Sequence, residues 1–383
     1  MLRVVSLLYV LSLLPFPAFT QESAEITHGP FLTAPTAQGV TVVFTTNVPG
    51  VASVSLRATG CDSADWTPIQ NSRFGLKAAN GCVHRIELKG LDAGKRYEYR
   101  TVFRAIEKFE PYKILWGDSV SAGPFSFTVA TKQAECTRFA VFNDVHGKAG
   151  RFDSLLVAGP LAQTDFVAFN GDMVNHLECP DQLFEGFIDV AARRFASSKP
   201  FLYVRGNHET RGAMARALPQ YLPPADGTYY GLYRQGPVAF IVLDTGEDKP
   251  DAHWAYSGLT DFDAYREAQA AWLKTAVLDP VFTTAPFRIA ILHIPPYGDD
   301  WHGTQEVRRL FAPVLAGAGL DLLIAAHTHE ARWLTAAETD GFPVLINGID
   351  TGVWINVDAE SVRADRIDTQ GNTVETRVIP LRR

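Results

Sequence analysis

The chain reads as an all-β domain followed by an α/β domain, and three observations carry that reading. Between residues 25 and 131, short alternating runs of β-branched and aromatic residues are punctuated by Gly, Pro, Asn and Asp. From Cys136 onward, apolar strands alternate with helical stretches. Five of those later strands end directly in a polar residue able to bind a metal. A length of 383 residues suits two domains of unequal size.

Composition excludes several classes. Hydrophobic residues make up 46% of the chain and charged ones 20%, as in a globular protein with a real core. A net charge of -7 gives no general drive toward nucleic acid or an anionic membrane, so a phosphate-bearing partner has to be attracted locally. No segment is long and apolar enough to span a bilayer.

Residues 1–20 read as a secretory signal. Arg3 supplies the positive start, Val4 to Leu14 the apolar run, and Ala18 to Thr20 the small residues before cleavage at Gln21. The mature protein is therefore expected to be secreted or periplasmic. Export makes disulfides possible: neighbour pairing would join Cys61 to Cys82 and Cys136 to Cys179. Four cysteines allow three connectivities, and buried free thiols are the alternative.

The first domain, residues 21–131, contains the runs Val40–Thr46, Ala52–Leu56, Val83–Leu88, Tyr97–Val102 and Phe125–Val129, a spacing that suits a β-sandwich. His28 and His84 stand alone in it and read as ordinary structural residues. In the second domain, residues 132–383, Phe139–Phe142 leads to Asp144 and His146, and Asp165–Phe169 leads to Gly171 and Asp172. Phe201–Val204 leads to Gly206, Asn207, His208 and Glu209, Phe287–Leu292 to His293, and Leu320–Ala325 to His327 and His329. Loops at the carboxyl ends of strands are where α/β sheets bind ligands, so Asp144, His146, Asp172, Asn207, His293, His327 and His329 converge on one edge. Seven such residues exceed what one zinc needs and suit two adjacent metals sharing a carboxylate. Imidazole, carboxylate and amide oxygen without thiolate favour Fe, Zn or Mn.

The remaining stretches read as scaffold. Residues 261–278 form a helix with Asp261 as N-cap and Tyr265, Ala268, Trp272 and Leu273 on its core face. The acidic run Asp244–Asp251 reads as a solvated loop, and His176 and His253 as exposed loop residues. Strands are expected at Pro343–Asn347, Gly352–Val357 and Val374–Leu381.

The ordered set Asp144-x-His146, Gly171-Asp172, Gly206-Asn207-His208-Glu209, His293 and His327-x-His329 resembles the calcineurin-like metallophosphoesterase superfamily. The segment from Leu88 to Tyr99 resembles a fibronectin type III turn and its tyrosine-bearing strand, and the two halves together are similar to purple acid phosphatases. That resemblance implies a four-layer α/β/β/α sandwich. It implies one metal on Asp144, His146, Asp172 and His329, a second on Asp172, Asn207, His293 and His327, and His208 facing the phosphate. His302 would be an outer-shell proton donor. Two departures stand out. Met173, Val174 and Asn175 follow Asp172 where purple acid phosphatases place a tyrosine on ferric iron, and Ala326 replaces a usual glycine.

The resemblance implies an exported phosphomonoesterase in which a metal-activated water attacks in line on a phosphorylated small molecule. A phosphodiesterase or nucleotide hydrolase on the same centre is the second reading, and a non-catalytic surface binding protein the third.

Overall fold

A computed structural model describes residues 23–60 and 66–381. The signal segment and Cys61 lie outside the described residues. Among those described, no helix is long and apolar enough to cross a membrane.

The first eight strands are β1 (Ile26–Thr36), β2 (Gly39–Ala58), β3 (Thr67–Ile69), β4 (Ser72–Arg73), β5 (Leu76–Lys77), β6 (Gly81–Leu88), β7 (Arg96–Glu110) and β8 (Lys113–Thr128). The two runs expected at 40–46 and 52–56 are parts of the single strand β2. Its register against β6 slips between Thr45 and Gly50, so a turn-like Pro49-Gly50 is absorbed as an irregularity. Gly50 is needed there, because a Cβ would stand 2.3 Å from the Arg104 carbonyl oxygen. Around these strands Val42, Phe44, Val54, Leu88, Tyr99 and Phe103 form a closed apolar core.

Two sheets carry the second half. The first contains β9 (Thr137–Phe142), β10 (Phe166–Asn170) and β11 (Phe201–Val204), mutually parallel. The second contains β12 (Gly231–Gln235), β13 (Val238–Val242), β14 (Phe287–Ile291), β15 (Leu322–Ala325), β16 (Arg332–Leu334) and β17 (Val344–Ile346). Strands β18 (Thr351–Val357), β19 (Ser361–Asp368) and β20 (Thr373–Pro380) return to the far edge of the first sheet beside β9.

Why the sheets stack follows from their strands, which are apolar on both faces. Phe139, Val141 and Val204 from one sheet meet Phe240, Ile289 and Ile324 from the other in a shared core. On the outer face of the first sheet, Phe142, Phe169 and Phe201 pack against α1 (Ala149–Ala158) and the helical run 181–196. The outer face of the second is covered by α2 (Phe262–Ala276), α3 (His302–Leu310) and α4 (Ala312–Gly317), through Leu273, Val307 and Leu315.

The two halves are stitched together. Strand β1 pairs in parallel with β11 at Thr33 and Phe201, so one hydrogen-bonded sheet crosses residue 131. The buried Tyr99 hydroxyl donates to the Ser197 carbonyl at 2.7 Å.

Four local expectations are corrected. Cys136 and Cys179 are free thiols. Cys136 precedes β9 at the amino edge and Cys179 follows β10 beyond its carboxyl end, with a strand of roughly 16 Å between the two edges. A disulfide needs Cα atoms within about 7 Å. The acidic loop is buried, with Asp244, Thr245, Glu247 and Asp248 all shielded, because Arg205, Arg211 and Arg266 reach it from distant elements. On α2 the buried stripe is Arg266, Gln269, Ala270, Leu273 and Ala276, while Tyr265 and Trp272 flank it and Ala268 is exposed. Asp261 makes no side-chain cap. Asp251 does that work instead, accepting from Phe262 N at 2.8 Å and Asp263 N at 2.9 Å.

Candidate metal centre

Three of the five strand ends, those of β9, β10 and β15, turn through strained backbone. Asp144, His146, Asp172, His327 and His329 all have positive φ, between 49° and 72°. Non-glycine residues avoid that region, and such strain gathers at functional sites. Ala326 is not among the positive-φ residues, so its methyl group is tolerated there. Gly171 also has positive φ, 80°, and both it and Gly206 are required for a further reason, space. A Cβ on Gly171 would lie 2.4 Å from His293 Nδ1, and one on Gly206 would lie 2.3 Å from Asp172 Oδ1.

The side chains gather into two groups. Asp144, His146 and His329 form one: His146 Nε2 and His329 Nε2 are 3.1 Å apart, and Asp144 Oδ1 is 3.8 Å from the first and 3.5 Å from the second. Asp172, His293 and His327 form the other, with His293 Nε2 at 3.1 Å from Asp172 Oδ2. Asn207 joins the second group, its Oδ1 3.1 Å from His327 Nδ1. A further combination, His146, Asp172 and His208, links the two groups across Asp172. The first group opens outward, His329 being 49% exposed, whereas Asp172, Asn207 and His293 are buried.

Whether the residues fit metals is answered by their unpaired atoms. Asp144 Oδ1 and His293 Nε2 are buried without an aligned hydrogen-bond partner among the described residues. Such atoms cost free energy unless a cation completes them. His293 Nδ1 must donate to the Asn170 carbonyl, 2.8 Å away, which leaves Nε2 as the free ligand nitrogen. The donor set, hard oxygen with imidazole, fits two cations of the Fe, Zn or Mn type.

Electrostatics show how concentrated the charge is. Burial works against the Asp172 carboxylate, yet His293 and His208 hold its pKa well below the usual range. Burial likewise opposes protonation of His293, but the Asp172 carboxylate outweighs it and lifts the imidazole to about 10. Burial dominates at His146, pushing it down to about 4, and lowers His327.

The outer residues explain the rigidity. Asn143 Nδ2 donates to Asp144 Oδ2 at 2.7 Å, and His208 N donates to Asp172 Oδ1 at 2.9 Å. Glu209 is fully buried and accepts from Asp172 N, Met173 N and Gly206 N at 2.9, 2.7 and 2.9 Å. Burial and the nearby Asp172 raise its pKa to about 7. Glu209 closes the motif Gly206-Asn207-His208-Glu209, which by itself assigns it no task. Its signal was an acid directly after a metal-edge turn.

His208 stands against His146 with ring centroids 4.7 Å apart, its Nδ1 2.7 Å from the Asn175 carbonyl. Asn175 is the position at which the resemblance to purple acid phosphatases expects a tyrosine. His302 starts α3, and its Nε2 meets Asp263 Oδ1 at 2.7 Å, outside the three ligand groups. His253 caps a short turn through Ala255 N, and the ring of His176 lies 3.9 Å from Glu178. His28 pairs with Asp189.

A family profile described as calcineurin-like phosphoesterase matches residues 137–331, half of the chain. Among solved structures, the purple acid phosphatase PPD1 from yellow lupin (Lupinus luteus) seeds is similar with a TM-score of 0.65 at 13% identity, over 94% of this chain and 74% of that one. PhoD is similar with a TM-score of 0.60 at 12% identity, over 93% of this chain and 90% of that one. At such identities the likeness is one of fold. No curated protein sequence matches significantly.

Proposed function

The chain belongs to the calcineurin-like phosphoesterase family, and from that premise we propose that it is an exported, metal-dependent hydrolase of phosphate monoesters. One observation carries the reading: the Asp144, His146 and His329 group and the Asp172, His293 and His327 group are joined by a third combination that contains His146 and Asp172, and most of their members sit on strained turns. In this reading Asp144, His146, Asp172 and His329 hold one cation, and Asp172, Asn207, His293 and His327 hold the other. Two such cations supply charge for the phosphoryl oxygens and lower the pKa of a nucleophilic water.

The chain's own residues do the rest. Asp172 would serve both cations; its Oδ2 lies 3.1 Å from His293 Nε2 and 3.8 Å from His208 Nε2. Glu209 pins the backbone that carries Asp172, so the ligands are ordered before any cation arrives. His208 occupies the rim, its Nε2 3.8 Å from Asp172 Oδ2, and in this reading its ring faces the phosphate. His302 is assigned to leaving-group protonation. Its Nε2 is held by Asp263 Oδ1 at 2.7 Å, so Nδ1 would be the atom that gives the proton.

We further propose that residues 21–131 are a fibronectin type III-like support. Strands β1 to β8 favour this, as does the Tyr97 hydroxyl accepting from Asp92 N at 3.1 Å. Export rests on the pattern of residues 1–20 and is tested by N-terminal sequencing of protein recovered outside the cytoplasm, which should begin at Gln21.

The deciding assay is hydrolysis of p-nitrophenyl phosphate and bis-p-nitrophenyl phosphate alongside metal analysis. Two metals per chain with preferential cleavage of the monoester supports the proposal. Preference for the diester shifts the reading to a phosphodiesterase, and metal-loaded protein that cleaves neither overturns both.

A further inference from the structure

Arg211 is a cation built into the edge of the centre that neither ligand group uses. It follows the short turn after Asn207, and its Nη1 lies 3.1 Å from His208 Nε2. Nε and Nη2 donate to the two carboxylate oxygens of Glu247 at 3.0 and 2.9 Å, and Nη2 reaches Asp248 Oδ1 at 3.4 Å. Glu247 is only 1% exposed and is itself fixed by the hydroxyls of Thr210, at 2.7 Å, and Tyr256, at 2.8 Å. Asp248 has its own cation, Lys249, at 2.8 Å.

A guanidinium carries five N–H groups in a rigid plane. These contacts use one on Nε, two on Nη2 and one on Nη1, which leaves a second Nη1 hydrogen. The side chain is 31% exposed, so it is reachable from solvent. It stands beside His208, whose Nε2 is 3.8 Å from the shared Asp172 carboxylate. Because a buried acid clamps the fork, little rotamer freedom is lost when an anion arrives.

We propose that Arg211 contacts the substrate, its free Nη1 hydrogen donating to a phosphoryl oxygen beside His208. This rests on the phosphoesterase reading above. A purely structural Arg211–Glu247 pair would close the 207–211 turn onto the buried acidic loop with no contact to His208. Its loss would lower stability and leave anion binding as it was.

The test is binding of inorganic phosphate to the full chain loaded with zinc or manganese, measured by isothermal titration calorimetry, with metal content checked in each sample. Arg211→Met should weaken phosphate binding by about tenfold to a hundredfold without loss of metal, since charge-assisted donors are the strong ones. Arg211→Lys should recover only part of the affinity, restoring the charge but not the fork. Arg211→Gln keeps donors toward Glu247 and serves if the methionine variant does not fold; it should show the same loss. Wild-type protein that binds phosphate, together with Arg211→Met or Arg211→Gln that binds it equally well, overturns this proposal alone. Metal-loaded wild-type protein that binds no phosphate overturns it and the phosphoesterase reading together.

Discussion

His84 in the all-β half and His293 in the metal centre are both buried imidazoles, and they have opposite fates. His84 is 7% exposed, lies between the rings of Phe44 and Phe103 at 4.9 and 5.1 Å, and has Thr46 Oγ1 at 3.0 Å from Nε2. Burial pushes its pKa down to about 4, so it is neutral near neutral pH. His293 is more deeply buried still, yet the Asp172 carboxylate holds a proton on it up to about 10 when no cation competes. Burial by itself therefore does not mark a ligand. What marks it is a carboxylate in the same cavity and a nitrogen with no aligned partner.

The largest test of that contrast is Asp172→Asn, which removes the carboxylate proposed to serve both ligand groups. Both metals should be lost and turnover should fall by about three orders of magnitude, on the scale of a lost preorganised electrostatic group; retention of both metals would refute the shared role. Next come the paired variants His329→Ala and His327→Ala. The first should empty the Asp144 and His146 group and the second the His293 group, each costing one metal per chain by elemental analysis. Equal loss of both metals from either variant would dissolve the division into two groups.

Glu209→Gln puts an amide where three backbone N–H groups need acceptors, and metal affinity should drop by about 10- to 100-fold in a competition titration with a chelator. An unchanged affinity would make Glu209 merely a core residue. The smallest effect is expected at His84. Its folded pKa lies below the ordinary value of 6.5, so between about pH 4 and 6.5 the unfolded chain binds more protons. Stability from this group is complete above that window and is lost on acidification through it, by at most about 3 kcal/mol. Urea titrations of wild type and His84→Gln across this range should differ in slope in that sense.

The ligand positions were legible in the sequence because each follows an apolar strand within a few residues, so chain order alone carries them to the sheet edge. Asp172 and His293 are the clearest cases. What escaped depended on partners far away in the chain. The acidic run after β13 looked solvated because Arg205, Arg211 and Arg266 sit in other segments and no local pattern announces them. The cap of α2 escaped for a similar reason: Asp251 lies ten residues before Asp261 and folds back over the helix start. Neighbour pairing of Cys136 with Cys179, one of the open alternatives, rests on proximity in the chain, which says nothing of the strand standing between them. Strands β1 and β19 passed unnoticed, since a strand is recognised by alternation that Thr, Pro and Arg interrupt.

The pairing of β1 with β11 bears on any attempt to cut the protein in two. A fragment beginning at residue 132 would leave β11, the strand that delivers Asn207, as a bare edge with Phe201 uncovered on the side where Phe31 now stacks at 5.7 Å. Bare apolar edges recruit other chains. Separated from its leading strands, the catalytic half should be sticky before it is inactive, so dissection by deletion would report on aggregation and not on the independence of the two halves.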